Sequence, residues 1–268
     1  MDLKQLKEQV ADIGFVGERK AIALLCLGFY TTLFAINALF APVPELVPLF
    51  TGLALCWGLA FFAVAADWFW GRWFAVGLGN FGWTTAGWIM LSEGFMAPLL
   101  VFGVMHAMIS TCLLGNRMAA AYEERPDWRE RWQLDEQGVV KVRRAVTWAA
   151  TSLPVIIMMA LKPRGGDGES ILVLAVIGLF GLLRGRTWGV LALAGAGVVA
   201  FVECALIPAS HAVILPFVGE PIISGTTVMV PMVVSISTAT LSFVAGSLLL
   251  GGVLPFFAPL LGYLKRRR

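Results

Sequence analysis

The sequence predicts an all-α, polytopic integral membrane bundle of about eight transmembrane helices, arranged as two four-helix halves. Three observations predict it. Of 268 residues, 59% are hydrophobic and only 14% are charged, and the mean hydropathy is +0.82. Soluble domains are roughly 45–50% apolar and about 25% charged. Apolar runs approaching the ~20 residues that a bilayer requires recur along the chain. Finally, Lys and Arg concentrate in alternate connections, as they do on the cytoplasmic side of membrane proteins. A chain of this composition cannot cover a water-facing surface. That excludes a soluble enzyme, a disordered chain and a nucleic-acid-binding domain.

Residues 1–20 come first. Leu3, Leu6, Val10 and Ile13 share one helical face, with Lys4, Lys7, Glu8 and Asp12 elsewhere. That pattern suits a helix lying on the cytoplasmic membrane surface. The stretch is too long and too mixed in sign for the start of a secretory signal, so none is expected. The apolar windows follow at 21–41, 47–66, 73–91 and 95–115, the first half, and at 145–161, 170–183, 187–207 and roughly 237–263, the second. Closed barrels also span membranes, but runs such as Ile171 to Leu183 lack the apolar–polar alternation of a barrel strand.

With the N-terminus inside, 18 of the 20 Lys and Arg residues fall on the inner side, all but Lys162 and Arg164. Removing one crossing would place the basic segment 117–144 and the C-terminal cluster Lys265 to Arg268 on opposite faces. The expectation is therefore a multi-pass protein of the cytoplasmic (inner) membrane with both termini cytoplasmic, residues 265–268 forming a basic tail. The halves share a signature. Gly71-Arg72-Trp73-Phe74 opens the third window and Gly185-Arg186-Thr187-Trp188 the seventh. This reads as a parallel duplication, or as a common inner-interface turn with Arg at the headgroups and Trp in the aromatic belt.

Two connections stand out. Segment 116–144 is the main cytoplasmic part. Its start continues the fourth helix to about Glu124, and Pro126 ends it. A short helix from Asp127 then sets Trp128 and Trp132 on one face, beside Arg125, Arg129 and Arg131. The mixed charges there suit a surface helix or a partner-docking element. Asp135-Glu136 near Arg143-Arg144 reads as a solvated loop. Segment 208–236 is outer, apolar and broken by Pro208, Pro216, Pro221 and Pro231. It reads as a re-entrant or interfacial cap, because such backbone is tolerated at membrane depth only where protein or water satisfies it.

Ionisable groups inside hydrocarbon cost about 2.5–3.5 kcal/mol on insertion scales, so each is a candidate site. His106 lies mid-helix in the fourth window and Asn80 at similar depth in the third. They read as an interhelical hydrogen bond that fixes packing, or as a site for a proton, a metal or a substrate group. Glu203, Glu93 and His211 share the outer level and are candidates for convergence, or are simply hydrated. No nucleophile, phosphate-loop or dinucleotide motif is present, and neither are zinc spacings. No cofactor is assigned. The cysteines Cys26, Cys56, Cys112 and Cys204 sit singly in apolar runs and read as small buried hydrophobes. Glycine and alanine repeats (Gly181, Gly185, Gly189; Ala192, Ala196, Ala200; Gly79, Gly82, Gly87) signal close helix packing, within the chain or with a partner. Of ten tryptophans, six lie between Trp57 and Trp88 and read mostly as interfacial anchors, with Trp83 and Trp88 able to line a pocket for lipid or an apolar ligand.

The functional expectation is a non-catalytic membrane subunit that contacts the lipid bilayer and a protein partner or further copies of itself, with no nucleic acid. The alternatives are a transporter or channel for a small or apolar solute, and an outer-face lipid-modifying enzyme.

Overall fold

The computed structural model describes residues 15–41, 44–123, 135–161, 168–206, 212–214, 217–218, 231–232 and 235–266. These residues are almost entirely helical. The helices are α1 (Val16–Leu39), α2 (Val47–Ala65), α3 (Gly71–Glu93), α4 (Ala97–Cys112), α5 (Asn116–Glu123), α6 (Glu136–Ala160), α7 (Glu169–Leu183), α8 (Thr187–Leu206) and α9 (Thr238–Arg266). A 3-10 turn, Pro44–Leu46, leads into α2. Helix occupies every one of the eight apolar windows.

Fewer helices satisfy the length and apolarity needed to cross a membrane. Val16–Leu39, Pro44–Ala65, Thr187–Leu206 and Thr238–Phe257 do so, and α4 with α5 makes a fifth if that bent pair is one span. The remainder have a physical reason to fall short. Helices α3 and α6 are the most enclosed, with 12 of 23 and 15 of 25 residues buried, against 5 of 24 in α1. Helix α3 meets protein on most sides and carries glycine and hydroxyl groups where a lipid-facing helix carries Leu and Val, whereas α6 opens with Glu136, Lys141, Arg143 and Arg144 and leaves only its last 16 residues free of charge. Helix α7 is only 15 residues long.

Packing follows a simple order. Helix α1 packs on α2, α2 on α3, α3 on α4 and α4 back on α1. Helices α6, α7, α8 and α9 close a second ring in the same way. The rings meet where α6 lies against α3 and, less extensively, α2. Small residues make these contacts close. A Cβ on Gly189 would stand 2.7 Å from the Gly178 carbonyl oxygen, one on Gly197 2.7 Å from Leu250 Cγ, and one on Gly246 3.1 Å from the Gly197 oxygen. Ala196 and Ala200 are fully buried and Ala192 half-buried. Much of the small-residue pattern of α8 is therefore used within the chain.

Helix ends explain several departures from the sequence expectation. Helix α4 does not run straight into α5: the two are bent by 69°, and Gly115 takes φ 103 at the break, a conformation glycine adopts without strain. Two arginines satisfy the carbonyls that α4 leaves over. Arg19 donates to the Thr111 and Leu114 oxygens, and Arg72 Nε donates to the Leu113 oxygen at 2.7 Å. Helix α6 starts nine residues before the apolar window because Asp135 caps it, accepting from the Gly138 N–H at 2.7 Å. Asp135 and Glu136 thus begin a helix rather than lie in a solvated loop. Residues 16–20, assigned above to a surface helix, belong to α1; residues 1–14 lie outside the described set.

Of segment 208–236 the described residues form short strands, and the rest, on which the re-entrant or interfacial reading falls, lies outside the described residues. Strand β1 (Ala212–Ile214) pairs antiparallel with β4 (Ser235–Ser237), and β2 (Phe217–Val218) with β3 (Pro231–Met232). Strand pairing answers the backbone groups of these residues, a solution the proline content did not suggest. Strand β2 touches α4 and β1 touches α6.

Candidate functional site

Two polar clusters lie among the described residues of the first ring. One is at the end where the start of α1, the end of α2, the start of α3, the end of α4 and α5 converge. Arg72 Nη1 donates to Glu123 Oε1 at 2.5 Å, and Trp73 Nε1 donates to the same oxygen at 2.7 Å. Arg143 of α6 approaches Glu123 Oε2 at 3.6 Å. The side chains of Arg72 and Glu123 are only 8% and 9% exposed. Tyr122 seats α5 by donating to the Val64 oxygen at 3.1 Å. Nearby, Lys20 Nζ pairs with Asp67 Oδ1 at 2.6 Å, where Asp67 turns the chain at φ 54 between α2 and α3. Sequence reading placed Arg72 at the headgroups and left segment 116–144 as a surface or docking element; Arg72 and Glu123 of that segment are instead buried against each other. The matching Arg186 is exposed, and Gly185 has φ 67 whereas Gly71 has no positive φ. The two Gly-Arg-x-x turns therefore differ in conformation and in what their arginines do.

The second cluster surrounds His106, which is fully buried. Its Nδ1 donates to the Phe102 oxygen one turn back, at 2.9 Å. The rings of Tyr30 and Phe102 lie 4.2 Å from the imidazole, and Trp57 stands edge-on at 5.7 Å. Tyr30 Oη donates to the same Phe102 oxygen at 3.3 Å. On the α3 side His106 rests flush on Gly82, where any Cβ would overlap the ring. Asn80 does not reach His106 directly. One turn nearer the Arg72 end, its Oδ1 accepts from Ser110 Oγ at 3.0 Å and from Trp83 Nε1 at 3.3 Å. The α3–α4 interface thus carries both sequence candidates side by side, Asn80 as packing glue and His106 as a buried base.

The remaining candidates are dispersed. Glu203 Oε1 accepts from Ser170 Oγ at 3.1 Å, tying α8 to the start of α7. Glu93 ends α3 and is exposed. Helices α3 and α8 are not packed neighbours, so these two carboxylates belong to different rings. His211, Trp128, Trp132, Arg125 and Arg129 lie outside the described residues. Among the described residues no three His, Cys, Asp or Glu side chains are grouped to hold a metal. Two of the six clustered tryptophans are not interfacial anchors: Trp57 is 0% and Trp73 1% exposed. Trp73 was legible in principle, since an indole beside a basic residue at a helix start can share its carboxylate partner. Trp57 had no local signal.

Trp83 and Trp88 do reach the surface, at 47% and 65% exposure. With Thr84, Gly87 and Leu91 they form one outward stripe of α3 at helical spacing. A Cβ on Gly87 would meet nothing within 4 Å. Comparison with known protein families, with characterised proteins and with solved structures finds no match.

Proposed function

We propose that this chain crosses the cytoplasmic membrane eight times as two four-helix halves, keeps both termini on the basic cytoplasmic side, and serves as a non-catalytic membrane subunit that holds a protein partner. The outward stripe of α3 carries the reading. Elsewhere α3 is mostly enclosed by α2, α4 and α6. Its remaining face presents Thr84 and the open Gly87 between Trp83 and Trp88. Small residues admit a second backbone closely, and flanking aromatic rings grip it, which is how membrane helices associate without a hydrophobic drive between them. The eight crossings are supported by the helix in each apolar window. A shared end for both termini is supported by contacts that bring Arg19, Lys20, Arg72 and Arg143 to one end of the bundle, and by Gly252 in the later part of α9, which lies against Ala145 and Trp148 in the first half of α6.

The test is site-specific photocrosslinking in native membranes, from a benzophenone amino acid at position 88 and, as a lipid-facing control, at position 62. The expected result is one discrete adduct from position 88 only, lost when Gly87 is replaced by Leu. Recovery of the chain alone from both positions, after gentle purification, removes the proposal.

A second reading, passage of a small or apolar solute, is favoured by one observation, the buried His106 in the first ring. It predicts that His106→Ala alters solute flux in reconstituted vesicles.

A further inference from the structure

Two buried polar atoms of the first ring have no partner among the described residues, His106 Nε2 and Trp57 Nε1. Both side chains are 0% exposed. Leaving a buried donor or acceptor unmatched costs about 1–3 kcal/mol, so a pair of such atoms in one layer of the bundle points to something that binds there. Their chemistry is complementary. The carbonyl of Phe102 can only accept, so His106 Nδ1 carries a proton. In the neutral imidazole, Nε2 is then a bare acceptor. The Trp57 indole N–H is a donor and nothing else. The two rings are nearly perpendicular, at 86°, with centroids 5.7 Å apart. The two side chains are therefore edge-to-face neighbours in one layer of the ring.

From this we infer that His106 and Trp57 together bind one hydroxyl group, which accepts from the indole N–H and donates to His106 Nε2. The surroundings restrict what carries that hydroxyl. Tyr30 and Phe102 wall the imidazole, and Phe34 and Phe81 wall the indole at 5.1 and 6.2 Å. Among the described residues these neighbours are aromatic and uncharged, which suits a neutral occupant. It is a water molecule or the head of an apolar alcohol or phenol that enters from the lipid. The site does not depend on any protein partner of α3.

The test uses the full chain, labelled with 15N-histidine, in vesicles of phosphatidylethanolamine and phosphatidylglycerol. His106→Gln identifies the His106 resonances among those of the two histidines. Solid-state NMR is expected to show the Nδ1-protonated tautomer with Nε2 at a hydrogen-bonded position. In Trp57→Phe, which keeps an aromatic ring but loses the N–H, the Nε2 resonance is expected to move. A cross peak from Nε2 to water that p-cresol leaves unchanged identifies water as the occupant. A saturable change on adding p-cresol identifies an apolar hydroxyl. In that case Trp57→Phe raises the half-saturation concentration about 2- to 12-fold, the loss of one hydrogen bond. An Nε2-protonated tautomer overturns the inference. So does an Nε2 resonance at the free-imidazole position that neither p-cresol nor Trp57→Phe moves.

Discussion

Arg72 and Glu123, 51 positions apart, form a buried ion pair at 2.5 Å that fastens the bent-back helix α5 to the start of α3. The pair is more than a charge contact. Arg72 also donates to the last turn of α4, and Trp73 adds a second donor to the same carboxylate oxygen. One side chain thereby sets where α4 ends and where α5 lies. Burying two charges is costly, and the pair is offset by the further hydrogen bonds that Arg72 makes to the Leu113 oxygen and that Glu123 accepts from Trp73.

Glu123→Ala is expected to destabilise the protein by about 3–5 kcal/mol, because it strands the Arg72 guanidinium in a buried site. Adding Arg72→Met is expected to restore part of that loss. Reversible unfolding in mixed micelles measures both. A single variant within about 0.5 kcal/mol of the parent would mean that the pair is not structural.

Gly82 and Gly87 lie five residues apart on α3 and are expected to respond oppositely to alanine. At Gly82 the added methyl overlaps the His106 ring, and overpacking of this kind costs about 1–3 kcal/mol. At Gly87 it meets nothing, so the helical preference for alanine leaves stability unchanged or raised by up to about 1 kcal/mol. Thermal unfolding of the two variants in one detergent decides it; equal losses would contradict the placement of α3 against α4.

Asp135→Ala removes the side chain that accepts from Gly138 N–H at the start of α6. The expected loss is about 1 kcal/mol. Hydrogen exchange at residues 136–139 is expected to rise while α8 is unaffected. Unchanged exchange there would show that α6 begins without its cap.

Tags placed at Met1 and at Arg268 are expected to be modified by a membrane-impermeant reagent from the same face, the cytoplasmic one. Labelling from opposite faces would require an odd number of crossings and would overturn the eight-crossing proposal.

The sequence alone determined the helices. Their backbone bonds run between residues four apart, and lipid solvent makes such local satisfaction obligatory, so apolar length placed a helix in each of the eight windows but missed several helix ends and the separate α5. Even those ends had local causes, Gly115 at one break and Asp135 at one start. Only the tertiary structure decided which residues meet. Several of these helices are apolar on nearly every side, and a helix without a polar face gives no sign of its rotation about its own axis. Hence the stripe Gly181, Gly189, Ala196, Ala200 was legible as close packing but not as packing within the chain. Asn80 and His106 were visible as buried polar groups, but the first is tied to Ser110 and the second, with Trp57, turns an unmatched nitrogen into an aromatic layer. That distinction rests on facing and on a few tenths of an ångström of contact, which emerge only when four helices close a ring.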